Sequence, residues 1–147
     1  MNKPFSPTLY AINDDAKILV IDFLQANGFL AKVNPDQYGI DILSKHIQTN
    51  EKYEFEVEVK HNWKGERFQY PTLHFPGRKQ KFIKNSPNTV FFILNHERTH
   101  AYWVDGTILS NCPIVTKNTI YTKNEQFIEV SIDKCKLIDL TQNLTIN

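Results

Sequence analysis

The sequence predicts a mixed fold of the α/β (α+β) class, and three observations carry that prediction. A run from Ala16 to Ala26 is framed by Asn13-Asp14-Asp15 and Asn27-Gly28, residue types that satisfy free N–H groups at a helix start and permit the left-handed stop at its end. Tyr53 to His61 alternates strictly, with Phe55, Val57 and Val59 on one side and Glu54, Glu56, Glu58 and Lys60 on the other, the period of a half-buried strand. Thr89 to Leu94 and Ala101 to Val104 are rich in β-branched and aromatic residues and show no helical spacing, so two strands joined near residues 96 to 99 are expected.

Between these anchors the elements follow in order. Phe29 to Val33 reads as a first strand, and Pro35 and Gly39 punctuate the loop that follows. A second strand is expected from Ile40 to His46, with Asp41 facing away from Ile40 and Ile42 because successive side chains alternate. The strand from Tyr53 is the third. Arg67 to Phe75 carries no clear period. Pro76 to Lys84 predicts a short basic helix with its proline in the first turn, stopped at Asn85-Ser86-Pro87-Asn88. Further strands are expected at Thr119 to Tyr121 and Gln126 to Ile132; Leu137 to Leu140 gives no firm signal.

A length of 147 residues suits one domain spanning 1–147. No apolar run approaches the ~20 residues that cross a bilayer, and the first residues lack the apolar stretch of a signal peptide, so the expectation is a cytoplasmic protein with no membrane partner. Cys112 and Cys135 are far apart and outside any C-x-x-C spacing, which argues against a disulfide framework or a thiolate zinc site. Charge is segregated: residues 1 to 59 hold five basic against nine acidic side chains, whereas residues 60 to 84 hold seven basic against Glu66 alone. An acidic cluster followed by a basic segment suits metal-binding carboxylates beside a surface that attracts polyphosphate.

His96-Glu97-Arg98-Thr99-His100 is a literal H-E-x-x-H. A zinc peptidase needs that motif on a helix, where four-residue spacing puts both imidazoles on one face. The strand-like flanks predict a polar hairpin turn instead, and zinc peptidase chemistry is kept only as a remote alternative.

The chemistry is sought in Asp41, Glu58 and Lys60, which ordinary register between neighbouring strands would bring together. Two nearby carboxylates repel each other, a divalent cation relieves that repulsion, and hard Mg²⁺ prefers oxygen donors. An amine one strand repeat from Glu58 could stabilise charge on phosphorus. E-x-K alone is common as alternating surface charge. Combined with a strand-borne Asp separated from Glu58 by sixteen residues, a preceding helix, and a following basic helix and strand, it resembles the PD-(D/E)XK nuclease superfamily over roughly residues 13 to 95.

The resemblance implies a restriction-endonuclease-like αβββαβ core with a mixed central sheet, to which extra C-terminal strands are added. It implies metal ligation by Asp41, Glu58 and the backbone carbonyl of Val59, with Lys60 as the catalytic lysine and Mg²⁺ or Mn²⁺ as cofactor. Pro35-Asp36 is the literal Pro-Asp pair, but Asp41, on the strand, is the preferred first acid. Asp15, Asp22, Asp36 and Glu56 are candidates for a further acid, and Lys64, Arg67, Arg78, Lys79, Lys81 and Lys84 for contacts to a DNA backbone. His61, Tyr70, His74 and Gln80 are candidates for positioning substrate. The implied activity is DNA endonuclease hydrolysis, as in restriction-type enzymes and junction resolvases, with RNA open as a second substrate. A homodimer is expected, and the surface around Phe91, Phe92, Tyr102 and Trp103 is a candidate interface, core packing being the alternative. The competing function is a nucleic-acid-binding module that keeps the fold without catalysis.

Overall fold

The computed structural model describes residues 7–85 and 88–141, with side chains described from Asp15 onward except at Asn85. Helix α1 (Pro7–Ala26) is followed by β1 (Phe29–Val33), β2 (Ile42–His46), β3 (Lys52–Val59) and β4 (Thr72–Pro76). A 3-10 turn at Gly77–Lys79 leads into α2 (Gln80–Asn85), β5 (Thr89–Leu94) and β6 (His100–Asp105). Then come α3 (Gly106–Leu109), β7 (Ile114–Lys117), β8 (Glu125–Ser131) and β9 (Lys136–Asp139).

Six strands form a mixed sheet in the order β1-β2-β3-β5-β6-β9, parallel only between β3 and β5; β4-β8-β7 form a second, antiparallel sheet. The mixed central sheet and the added C-terminal strands are those expected. No described helix is long and apolar enough to cross a membrane.

Alternation splits the core in two. On one side of the large sheet Phe55, Val57, Val59, Val90, Phe92 and Leu94 pack against Ala16, Val20 and Leu24, which recur every four residues along α1. On the other, Phe91, Ile93, Tyr102 and Val104 pack against Leu73, Phe75, Ile128 and Val130 of the second sheet. β5 is therefore buried on both faces along its whole length. Phe91, Phe92 and Tyr102 are core, and Trp103 is a half-buried neighbour of it, so the hairpin does not offer the exposed interface considered for a dimer.

Several expectations need correction. Helix α1 begins at Pro7, so Asn13-Asp14-Asp15 lies inside it rather than capping it, a proline in the first turn being compatible with a helix start. Its end is as expected: Gly28 has φ +87°. The second strand starts at Ile42, leaving Asp41 at the bend before it. β4 and β7 lie where no strand was expected, while Thr119 to Tyr121 forms a turn, because the Thr119 hydroxyl accepts the N–H groups of Tyr121 and Thr122 at 3.1 and 2.9 Å. The unclear segment Leu137 to Leu140 pairs with β6 as most of β9.

Candidate active site

In the register of β2 and β3, Ile42 lies opposite Phe55, so Asp41 comes beside Glu56 on the face turned toward the second sheet. Because β2 has not yet begun at Asp41, its carboxylate takes the place of a strand carbonyl and accepts the N–H of Val57 at 2.8 Å. Along β5 the same face continues as Phe91 opposite Glu56 and Ile93 opposite Glu58. The glutamates thus form a column directly beside an apolar one, at the border of the second core.

That border decides their chemistry. Glu56 is only 7% exposed, whereas Glu58, one strand repeat further, is exposed. Burial, and next the negative charge of Asp41, push the Glu56 carboxyl up to about 7, against the downward pull of the Lys79 ammonium. Glu56 also shares a side-chain hydrogen bond with Asp41. Two lysines answer the pair: Lys79 Nζ lies 2.6 Å from Glu56 Oε2, and Lys17 Nζ of α1 lies 3.3 Å from Asp41 Oδ1. Around them is a cleft of ≈ 480 Å³ whose walls include Tyr38, Glu58, Phe75, Arg78, Lys81 and Phe82.

The acids proposed from sequence therefore divide. Asp41, Glu56 and Glu58 share the cleft. Asp15 and Asp22 are exposed on α1, where Lys17 is the residue that reaches Asp41. Asp36 organises its own loop, its carboxylate accepting the N–H of Tyr38 at 3.0 Å. Val59 closes β3 opposite Leu94. Lys60 follows it, with its ammonium 5.4 Å from the centre of the Phe68 ring; it lines a much smaller cavity of ≈ 10 Å³ that adjoins the cleft, sharing Glu58, Phe75 and Ile93 with it.

Among the basic candidates, Lys79 and Arg78 come from the 3-10 turn, and Arg78 pairs with Glu125 at 3.6 Å. Lys81 and Lys84 are exposed on α2, and Lys64 and Arg67 on the loop after β3. His74 is engaged by Glu129 at 2.8 Å and by Lys117 at 3.3 Å. Tyr70 is exposed and its ring meets Phe68 edge-on; Gln80 opens α2. His61 is exposed, with its ring 6.1 Å from that of His96.

The donor set fits a hard divalent ion: oxygen donors only, two of them close enough to share a hydrogen bond and to disfavour joint ionisation. Among the described residues no three His, Cys, Asp or Glu side chains converge into a preformed cage. Mg²⁺ needs none, since it is held by one or two carboxylates with waters and substrate phosphates.

His96 to Thr99 of the H-E-x-x-H segment form the β5–β6 turn, as expected, and His100 opens β6. Glu97 is held below the usual carboxylate range, first by the N–H of Gly65, which it accepts at 2.9 Å, opposite to the upward shift a general base near neutrality needs.

No protein-family model matches the chain, and no curated protein matches it in sequence. In structure it is similar to Hjc, a Holliday junction resolvase from the archaeal hyperthermophile Archaeoglobus fulgidus. The TM-score is 0.53 over 83% of this chain and 85% of that one, at 10% sequence identity. The likeness is one of fold, and it bears out the mixed α/β architecture with a mixed central sheet expected from the order of the elements.

Proposed function

We propose that this chain is a metal-dependent endonuclease that hydrolyses phosphodiester bonds of DNA, with Mg²⁺ or Mn²⁺ as cofactor. The observation that carries the reading is the Asp41–Glu56 carboxylate pair at the edge of an apolar core, inside a cleft rimmed by Arg78, Lys79 and Lys81. The resolvase-like fold supports it at the level of architecture.

The resemblance implies Asp41, Glu58 and the Val59 carbonyl as ligands and Lys60 as the amine; Glu56, nearer to Asp41 in register than Glu58, joins the candidate ligands. A bound divalent ion would neutralise the carboxylates, draw a phosphate oxygen toward them and lower the pKa of water to be used as nucleophile. The chain's own residues do the rest. Asp41 and Glu56 hold their positions through the Val57 N–H and the Lys79 ammonium, and the apolar wall of Phe75, Phe91 and Ile93 keeps bulk water from screening them. Arg78, Lys81 and Lys84, with Lys64 and Arg67, supply cations for flanking phosphates. A cytoplasmic homodimer, each subunit addressing one strand, is part of the proposal, and RNA is a substrate to be tested beside DNA.

The test is incubation with Mg²⁺ or Mn²⁺ and linear, nicked, branched and single-stranded DNAs and RNA, beside Asp41→Asn and Lys60→Ala. We expect cleavage of at least one DNA and a loss of about 10²-fold or more in Asp41→Asn. Undiminished cleavage in Asp41→Asn sinks the site. Binding without cleavage by the unmodified chain favours the non-catalytic binding module instead.

A further inference from the structure

We propose, building on the nuclease reading above, that Lys79 rather than Lys60 is the amine that works in the Asp41–Glu56 cleft. In this proposal it exchanges partners, pairing with Glu56 in the free chain and turning to a phosphate oxygen when a divalent cation takes that carboxylate. Lys79 Nζ is 2.6 Å from Glu56 Oε2, and Lys79 lines the same cleft as Asp41, Glu56 and Glu58. Lys60 is four residues beyond Glu56, a separation of roughly 13 Å along a strand at about 3.3 Å per residue. Its ammonium rests over Phe68, in a segment fixed by the buried Trp63, whose ring stacks on Tyr102 at 4.7 Å, and by the Phe68 N–H donated to the Tyr102 hydroxyl.

The delivery of Lys79 is built into the fold. Pro76 pairs with Phe127, ending β4 against β8, and the 3-10 turn begins at the next residue. A Cβ at Gly77 would meet the Gln126 carbonyl oxygen at 3.1 Å, so a glycine lets the turn sit close on β8. Arg78 is held by Glu125 on the same strand. The second sheet thus carries a lysine across to a carboxylate of the first. The side chain retains 26% exposure, and the Phe82 ring lies 5.5 Å from its ammonium, a surface on which the cation keeps favourable contact when it leaves Glu56.

The experiment is calorimetric titration with Mn²⁺ in the absence of nucleic acid, followed by single-turnover cleavage of a labelled DNA, with Lys79→Met, Lys79→Arg and Lys60→Met. Thermal unfolding confirms that each variant is folded. We expect Lys79→Met to bind Mn²⁺ about tenfold tighter, because a competing cation is gone, and to cleave at least about 100-fold more slowly at saturating metal, with partial recovery in Lys79→Arg. Lys60→Met should leave Mn²⁺ affinity within about threefold and cost less cleavage than Lys79→Met does. In a Glu56→Gln background, where the buried pair is removed, the Lys79→Met effect on Mn²⁺ affinity should vanish. Unchanged or weaker Mn²⁺ binding in Lys79→Met, its persistence without Glu56, or a larger cleavage loss in Lys60→Met overturns the proposal. Should the unmodified chain cleave nothing while Lys79→Met still binds Mn²⁺ more tightly, the nuclease reading fails and the exchange of Lys79 against a cation stands.

Discussion

Two parts of this molecule carry the residue types of a catalytic site, and their surroundings give them opposite characters. In the cleft, Glu56 is nearly sealed against the second core and its carboxyl is pushed up to about 7. In the β5–β6 turn, Glu97 is fully exposed and its carboxyl is lowered by the Gly65 N–H. The recognisable motif belongs to the second region and the perturbed chemistry to the first. A carboxyl becomes useful near neutral pH through desolvation and a like charge beside it, not through its spacing from histidines.

The turn's order comes from a residue outside the motif. Asn95 is fully buried; its Oδ1 accepts the N–H groups of Thr99 and His100 at 2.9 and 3.1 Å, and its Nδ2 donates to the Gly65 carbonyl and the Thr99 hydroxyl at 2.8 and 3.0 Å. Asn95→Ala should therefore cost more stability than any substitution of the exposed motif residues, about 2–4 kcal/mol, because it strands buried partners as well as removing bonds. Urea unfolding measures it. A loss below about 0.5 kcal/mol would mean that the turn is held by its strands alone.

The cleft should show its character in the pH dependence of stability. A carboxyl raised in the folded state from its ordinary 4.5 to about 7 binds a proton in the folded chain that the unfolded chain releases. Stability is then greatest below pH 4.5 as far as this group is concerned, and falls as pH rises through the window up to about 7. The size of the fall is on the order of 1–3 kcal/mol, at about 1.4 kcal/mol for each tenfold change in proton affinity, with allowance for the coupling to Asp41 and Lys79. Glu56→Gln should flatten that slope. An equal slope in the variant would place the raised carboxyl elsewhere.

How much of this contrast was legible in the sequence follows from the range of the forces involved. Alternation in Tyr53 to His61 gave β3 and its acidic face, and β-branched composition gave β5 and β6, because both are local signals. Alternation tells which face a residue is on but not how deep that face lies at each point. Buried Glu56, unlike exposed Glu58, is met by Lys79 of the 3-10 turn, which follows a strand the sequence did not announce. β4 was hidden because only Leu73 and Phe75 carry its alternation, inside a polar stretch. The basic segment at Arg78 to Lys84 was visible as charge; that Lys79 folds back onto β3 depends on the pairing of β4 with β8, about fifty residues away in the chain. The strand expected at Thr119 to Tyr121 failed for a local reason, the threonine hydroxyl competing for backbone N–H groups.

The sharpest use of the comparison is also the smallest expected effect. His96 is exposed at the tip of the turn; its backbone N–H is donated to the Trp63 carbonyl at 2.7 Å and its carbonyl accepts the Arg98 guanidinium at 2.7 Å, bonds that a side-chain truncation leaves in place. Glu97 is exposed and accepts one backbone N–H from a solvent-facing loop. His96→Ala and Glu97→Gln should each leave the urea unfolding midpoint where it is in the unmodified chain, and Mn²⁺ binding and any nucleic-acid cleavage within about twofold. Zinc titration followed by metal analysis is the matching control. Stoichiometric zinc retained by the unmodified chain and lost in His96→Ala would invert the comparison, making the turn a metal centre and leaving the raised carboxyl of Glu56 as a structural acid at the border of the core.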